Sequence, residues 1–359
     1  MKNVHNVLHE RFKLQNEYLG EEKIVNKITP LVSVVVATYR HARFIAQCLD
    51  GIVNQVTKFP IEVIVGEDGS DDGTTELCIQ YAEKYPNLIR LFIRDRSLSQ
   101  YRSAEGNVIR FNGVWNRMSA RGKYIAMCEG DDYWIDPLKL QKQVDFLEAN
   151  PKYVLSHTNF RYYFELDKKY FENKHCASNL EILSKGLIPE DILHRYFVQT
   201  LTAVMRRDAY QKAIQHDEFL FSGYFLMGDT QLWYELSKLG KIHFLTDVTG
   251  VYRKNEGSAT RGNIKNSYRF ELSSAELRQY LCERDNLSPS FCKKTQIRYN
   301  RALYNYKVFD QTFIPKFENT DEGIRMFILL NAIFLLRPVL IIMVKLRAHI
   351  GYVKRLILG

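Results

Sequence analysis

Between Leu31 and Ala149 short apolar runs alternate with longer stretches whose apolar residues recur at helical spacing. The run Leu31-Val32-Ser33-Val34-Val35-Val36-Ala37 is β-branched and apolar on both faces, which predicts a strand buried on either side, as in a parallel sheet. Phe44–Gln55 predicts a helix, Ile61–Val65 a second strand, Thr74–Lys84 another helix and Leu88–Ile93 a third strand. Ala104, Val108, Phe111, Trp115 and Met118 mark a helical stripe, and Tyr124–Cys128 a fourth strand. Pro137 suits the first turn of the next helix, where its missing N–H is no loss, with Leu140, Val144 and Leu147 as the buried face. This β-α-β-α-β-α-β-α order predicts an α/β fold, a doubly wound and mostly parallel sheet that binds ligands at the carboxyl ends of its strands. After Asn150-Pro151 the pattern loosens. Tyr153–Tyr163 and Thr200–Arg206 predict strands, Gln231–Leu239 a helix, and Ile242–Tyr252 one or two strands. Ser267–Cys282 and Thr295–Val308 predict helices of a C-terminal subregion, while Phe164–Pro189 carries no clear period.

With 359 residues, 46% hydrophobic and 25% charged, the chain is long enough for one catalytic domain plus appended segments, and no low-complexity tract argues for disorder. The net charge of +9 suggests a nucleic-acid partner only until it is located. Residues 323–359 hold six Lys/Arg and no Asp or Glu, which leaves 44 basic against 41 acidic residues in the body. No nucleic-acid surface is therefore expected. The six cysteines, Cys48, Cys78, Cys128, Cys176, Cys282 and Cys292, show neither zinc-site spacing nor a disulfide framework, and residues 1–27 lack the continuous apolar core of a secretory signal. Reduced thiols and a cytoplasmic location follow as expectations.

Two acidic clusters fall at predicted strand ends. In Glu67-Asp68-Gly69-Ser70-Asp71-Asp72-Gly73 the later residues read as a solvated turn, with Asp72 or Thr74 capping the next helix. Asp68, directly at the strand end, is placed to accept hydrogen bonds from a base or a ribose. Glu129-Gly130-Asp131-Asp132 puts three carboxylates in four residues, which repel unless a cation or water screens them. Mg²⁺ and Mn²⁺ take oxygen ligands, usually one or two carboxylates plus substrate phosphates. On composition alone a metal-diphosphate clamp and an exposed turn explain the cluster equally well. Tyr133-Trp134 adds aromatic surface suited to a sugar or to core packing.

Val-Ser-Val-Val-Val-Ala-Thr-Tyr-Arg (32–40), Val-Gly-Glu-Asp-Gly-Ser-Asp-Asp-Gly-Thr (65–74) and Gly-Lys-Tyr-Ile-Ala-Met-Cys-Glu-Gly-Asp-Asp-Tyr-Trp-Ile-Asp-Pro-Leu-Lys-Leu (122–140) resemble the three successive signatures of family 2 glycosyltransferases. The resemblance covers Pro30–Asn150 and, more weakly, reaches Tyr252. It implies a GT-A fold with a helical C-terminal subregion and an inverting, metal-dependent transfer from a nucleotide-diphosphate sugar, and it favours the clamp. By the same resemblance Ala37, Thr38 and Tyr39 line the nucleotide pocket, with Tyr39 stacking on the base and Asp68 bonding base or ribose. Glu67 stands where the family often has a first Asp. Asp131 is the principal ligand of Mn²⁺ or Mg²⁺, Glu129 a second metal candidate, and Asp132 a neighbour bound through water or to the sugar. Inversion needs a base for the acceptor hydroxyl. Asp229, in Gly228-Asp229-Thr230-Gln231-Leu232-Trp233, resembles the family's acidic residue beside the acceptor cleft, a role compatible with capping its helix. Glu256 is the alternative base, on a polar loop better suited to a lid, and Arg253 and Arg261 are candidates to neutralise diphosphate charge. No histidine occurs in Tyr252-Arg253-Lys254-Asn255, where some relatives carry a metal ligand.

The expected organisation is an N-terminal extension (1–29), a catalytic domain (30–260, nucleotide half 30–150 and acceptor half 151–260), a helical subregion (261–322) and a basic apolar tail (323–359). Met326–Val344 is apolar except for Asn331 and Arg337-Pro338, and central Arg disfavours a clean span. An anchor lying on the anionic inner leaflet, or a helix packed on the domain, fits the tail. A lipid-linked or other glycan acceptor, as in bacterial surface polysaccharide assembly, would suit such an anchor. Gln231-Leu232-Trp233-Tyr234 departs from the Q-x-x-R-W motif of processive synthases, so addition of one sugar per encounter is expected. A dehydrogenase would need a glycine-rich turn after the first strand, which Ala37-Thr38-Tyr39-Arg40-His41-Ala42 lacks. The rival from another class is an inactive GT-A-fold glycan-binding or scaffold protein.

Overall fold

The computed structural model describes residues 2–20, 27–102, 108–194, 197–217, 219–255, 264–307 and 309–310. Its strands are β1 (Glu17–Tyr18), β2 (Val32–Thr38), β3 (Ile61–Glu67), β4 (Ile89–Ile93), β5 (Gln100–Arg102), β6 (Val108–Arg110), β7 (Tyr124–Glu129), β8 (Tyr133–Trp134), β9 (Tyr153–Phe164), β10 (Lys169–Glu172), β11 (Val204–Arg206) and β12 (Lys241–Lys254). Met1–Tyr224 together with Gly228–Lys254 make one compact unit, and Phe225–Met227 with the chain from Asn255 make the other.

The first unit is built on one large sheet in the order β1-β4-β3-β2-β7-β11-β9-β12-β8, with β10 paired to β9. Its centre, β4-β3-β2-β7, is parallel. β11 runs antiparallel to both β7 and β9, and β9 and β12 are parallel again. The β-branched runs form the centre because they are buried on both faces: every residue of β3 is buried, as is all of β2 except Ala37. Helices Ile45–Val53, Thr74–Lys84 and Lys139–Ala149 cover one side, where Val34, Val36, Val63, Ala126, Leu49, Leu140 and Val144 share a core. The predicted mostly parallel α/β sheet is thus present.

Several local expectations are corrected. Val108 is not helical; it opens β6, which pairs with β5 in a separate ribbon, and the helix runs only over Asn112–Met118. Ile109, Phe111, Val114 and Trp115 still face one small core with Val4 and Leu8, so strand and helix residues together mimicked a single helical stripe. Ala104 lies outside the described residues. Pro137 sits in a turn ahead of its helix, where Asp136 Oδ1 accepts the Leu138 N–H at 2.9 Å, and the helix begins at Lys139. Thr200–Thr202 is a 3₁₀ turn rather than strand, closed by Thr202 Oγ1 donating to Gln199 O at 2.6 Å. The N-terminal extension, for which the sequence carried no pattern, contributes helix Lys2–Phe12 and strand β1.

In the second unit, helices Ile264–Asp285 and Pro289–Lys307 pack through Leu272, Ala275, Tyr299 and Ala302, the expected helical subregion. Glu256, Arg261 and the tail 323–359 lie outside the described residues. Among the described residues no helix is long and apolar enough to cross a membrane.

Candidate active site

Parallel register sets the site. Thr38 pairs with Glu67 and Ala37 with Glu129, so β2, β3 and β7 end side by side. The chain leaves each strand still tied to its neighbour: Asp68 N–H donates to Thr38 O at 3.1 Å and Gly130 N–H to Ala37 O at 3.0 Å. Ala37, Thr38, Tyr39, Asp68, Glu129, Asp131 and Asp132, read from three separate motifs, thereby share one carboxyl edge.

The two acidic turns differ in what holds them. Glu67 is buried and consumed by its own turn, accepting from Gly69 N at 3.1 Å, Ser70 N at 2.9 Å and Thr75 Oγ1 at 2.9 Å. Asp68 is also buried, which pushes its carboxyl up, while Ser99 Oγ donates to one oxygen and Arg96 Nη1 to the other at 2.7 Å, opposing that shift. The same Arg96 guanidinium lies 3.3 Å from the centroid of the Tyr39 ring. Arg96 therefore touches both residues that the family resemblance assigns to the base. Later in the same turn Asp72 accepts from Thr74 N at 3.2 Å and Thr74 Oγ1 at 2.6 Å, but neither residue caps the helix as expected: its N-cap is Gly73, in a left-handed backbone with φ of 96°, with no side-chain cap.

The second turn is clamped from β12. Arg253, expected as a loop residue toward the diphosphate, is buried: Nε donates to Asp131 O at 2.8 Å, Nη2 to Gln47 Oε1 at 2.6 Å and Nη1 to Glu165 Oε2 at 3.1 Å. Its backbone N–H donates to Asp132 Oδ1 at 2.7 Å, and Asp132 is buried with Oδ2 lacking a hydrogen-bond partner among the described residues. Burial, then the charges of Asp131 and Glu129, raise the Asp132 carboxyl well above its ordinary range. Glu129 accepts from Thr200 Oγ1 at 2.8 Å; burial pushes it up to about 7, with the charges of Asp131 and Asp229 adding to that push. Asp229 thus lies within electrostatic reach of the turn. It occupies the first turn of helix Gly228–Leu239, half-buried, with Oδ1 accepting its own helix's Thr230 N–H at 2.8 Å.

Asp131 keeps about a quarter of its side chain exposed and faces His41, whose Nε2 is 4.0 Å from Asp131 Oδ2. Burial holds His41 below the usual histidine range against the charges of Asp131 and Asp72. Among the described residues no three His, Cys, Asp or Glu side chains converge as a cage for a metal. The hard oxygen set still fits a magnesium-like ion, which keeps few protein ligands and takes the rest from phosphates and water. Thr200, His41, Arg96 and Ser99 were not anticipated from sequence, because no local pattern marks them.

The sequence model described as Glycosyl transferase family 2 matches residues 33–214, which carries every strand end named above but stops short of Asp229. An uncharacterized protein of Mycobacterium tuberculosis is 32% identical over 226 residues, 62% of this chain and 59% of its own length. The Bacillus subtilis uncharacterized glycosyltransferase EpsJ is 24% identical over 236 residues, 64% of this chain and 63% of its own. The chain thus spans about three fifths of the curated relatives it matches. In fold it is similar to the mannosyltransferase PcManGT from Pyrobaculum calidifontis, in complex with GDP-Man and Mn²⁺, with a TM-score of 0.53 and 15% identity over 99% of this chain and 96% of that one. With half its length matched on the strands that build the acidic edge, the chain belongs to glycosyl transferase family 2.

Proposed function

We propose that this protein is an inverting glycosyltransferase that moves one sugar from a nucleotide-diphosphate sugar to an acceptor hydroxyl, with Asp131 and Glu129 facing Mn²⁺ or Mg²⁺. The observation that carries this reading is the shared edge, where Tyr39 and Asp68 lie on one side and Glu129 and Asp131 on the other, with Asp229 within electrostatic reach of Glu129. Tyr39, Ala37 and Thr38 offer a wall for the nucleoside and Asp68 an acceptor for its N–H or O–H groups. A bound divalent ion would supply positive charge to the departing diphosphate. Asp131 keeps about a quarter of its side chain open to solvent, and the buried Asp132 holds the turn through Arg253 N–H while neighbouring the sugar side. Asp229, tethered through one oxygen to its helix, keeps the carboxylate that would take the acceptor proton as attack proceeds on the face opposite the nucleotide. The acceptor is proposed to be a glycan or lipid-linked glycan, in bacterial surface polysaccharide assembly, on the cytoplasmic face of the membrane. The solved GT-A neighbour recorded with GDP-Man and Mn²⁺ makes Mn²⁺ the ion to test first.

The test is nucleotide release from UDP-, GDP- and dTDP-sugars with Mn²⁺. Asp229→Asn should lower turnover at least about 100-fold, the usual scale for general base catalysis, and Asp131→Asn should lower it through loss of the metal ligand. Unchanged turnover in both variants would show the site to be misassigned. Long polymer made from a single-sugar primer by this protein alone would overturn single addition.

A further inference from the structure

We propose that His41 is a nitrogen ligand of the divalent ion at Asp131, and that it gives the site a preference for Mn²⁺ over Mg²⁺. The inference rests on the metal reading of the acidic turn and adds a residue from a different strand end.

The histidine is built into place. Arg40, one residue earlier, takes a left-handed backbone with φ of 53°, which turns the chain back over the strand ends. The His41 N–H then donates to Thr74 Oγ1 at 2.8 Å, and the His41 carbonyl accepts the N–H groups of Phe44 and Ile45, both at 2.8 Å, at the start of helix Ile45–Val53. The ring packs against Phe44 with centroids 6.3 Å apart. Its Nδ1 lies 3.2 Å from Oγ1 of Thr38, which is buried. With the proton on Nδ1 and Thr38 Oγ1 accepting it, the lone pair is on Nε2 and faces Asp131. Holding one ring nitrogen in this way is how ligating histidines are usually oriented.

The spacing to Asp131 carries the argument. At 4.0 Å, Nε2 and Oδ2 are too far apart for a hydrogen bond. They are near enough to share one ion, since nitrogen and oxygen ligands at about 2.0–2.2 Å from a common centre lie at most about 4.3 Å apart. Both side chains open to the same solvent, about a fifth and a quarter exposed. Gly130 lets the pair approach: a Cβ there would stand 2.6 Å from Thr38 Oγ1 and 2.9 Å from His41 Nδ1. The turn is therefore glycine where the strand ends must close on the histidine. Imidazole is a softer donor than carboxylate, and Mg²⁺ favours all-oxygen shells, so a nitrogen in this set raises Mn²⁺ relative to Mg²⁺.

The experiment uses the full chain labelled with ¹⁵N-histidine, loaded with Mn²⁺ in the presence of UDP, GDP or dTDP, and read by pulsed EPR. Directly bound ¹⁵N coupling is expected in wild type and its absence in His41→Asn and His41→Ala, with folding checked by circular dichroism. Apparent Mn²⁺ affinity should fall by about tenfold or more in both variants and Mg²⁺ affinity by far less, while Thr38→Val, which removes the Nδ1 partner, should weaken Mn²⁺ by about 10–100-fold. Mn²⁺-loaded wild type without ¹⁵N coupling overturns the proposal. So does an equal loss of both metals in the histidine variants, which would mark a purely structural ring. If Asp131→Asn abolishes Mn²⁺ binding but wild type shows no ¹⁵N coupling, His41 alone is misassigned. If wild type takes no Mn²⁺ with any of the nucleotides, the metal reading of the acidic turn falls as well.

Discussion

Gly66→Ala is expected to be among the most destabilising single-methyl additions in the sheet, and the reason lies one layer beneath the carboxyl edge of the strands. Gly66 sits in β3 between Ala37 of β2 and Phe92 of β4. A Cβ there would collide with Arg94 Nη1, Asn112 Oδ1 and Asn116 Oδ1. These atoms form a buried polar knot: Arg94 Nη1 donates to Asn112 O at 3.0 Å, to Asn116 Oδ1 at 2.6 Å and to Asn112 Oδ1, while Nε and Nη2 reach Gln15 Oε1 at 3.1 and 2.8 Å. Burial pushes Arg94 down to about 9, so it remains charged at neutral pH. Adding a methyl to a packed interior costs about 1–3 kcal/mol. If Arg94 is driven from its partners the cost rises toward about 3–5 kcal/mol, because a buried charge then lacks compensation.

The control is Gly113→Ala in the neighbouring helix, where the nearest atoms to an added Cβ are Arg117 Nη1 at 3.7 Å and Ala37 Cβ at 3.9 Å. Ordinary contact there, with alanine's better helix propensity, predicts a neutral to about 1 kcal/mol stabilising effect. Urea unfolding followed by circular dichroism, fitted for midpoint and slope, separates the two. A third chain tests the cause: in an Arg94→Met background the shorter, uncharged side chain can yield, so Gly66→Ala should cost at least about 1 kcal/mol less than in wild type. Stability of Gly66→Ala within about 0.5 kcal/mol of Gly113→Ala would refute the reasoning, and strict additivity with Arg94→Met would show that the methyl meets something else.

Arg96 covers the Tyr39 face that a base would need, so Arg96→Ala should tighten nucleoside diphosphate binding by about tenfold, the scale of a cation–π contact of 1–2 kcal/mol no longer displaced; weaker binding by calorimetry would show Arg96 to be a ligand contact instead. Lys139 is buried with Nζ on Gln143 Oε1 at 2.6 Å, and burial pushes it down to about 7 from 10.5. Between those values the unfolded chain holds a proton that the folded chain has released, so this residue's contribution to stability rises with pH from about 7 upward. The thermal midpoint of wild type should therefore gain on that of Lys139→Met as pH rises from 7 to 10, and parallel curves would contradict this. Truncation before Gly323 should abolish binding to vesicles containing anionic lipid, and equal sedimentation of the full and shortened chains with those vesicles would remove the anchor.

Strand ends were legible from sequence because strand termination is local. An apolar run buried on both faces, ending at Thr38-Tyr39, Glu67-Asp68 or Glu129-Gly130, states both the element and the edge where it stops. What surrounds those ends was not legible, since each partner arrives from another segment. Thr200 reaches Glu129 across 71 positions, Arg253 reaches Asp131 across 122, and Gln15 reaches Arg94 across 79. Arg253 shows the difference most clearly. Its neighbours in sequence are polar and suggested a solvated loop, yet strand pairing carries β12 through Lys254 and lays the guanidinium among Phe44, Tyr133 and Tyr163. The stripe from Ala104 to Met118 misled for the converse reason, because period alone cannot separate a strand residue from a helix residue when both face one core.

The division between legible and illegible also bears on how the site is divided. Ala37, Thr38, Tyr39, Asp68, Glu129, Asp131 and Asp132 all lie within the stretch that matches the family, whereas Asp229 lies beyond it and acts electrostatically on Glu129. Glu129 is therefore the joint between the halves: it ends β7, accepts a hydrogen bond from Thr200, and lies within the field of both Asp131 and Asp229. A carboxyl held near 7 by burial and two like charges is protonated or ionised according to what those neighbours carry. A cation at Asp131 would favour the ionised form. If donor and acceptor bind on the two sides as proposed, Glu129 responds to both, and replacing it with Gln should uncouple them, leaving donor affinity less dependent on Asp229→Asn than it is in wild type.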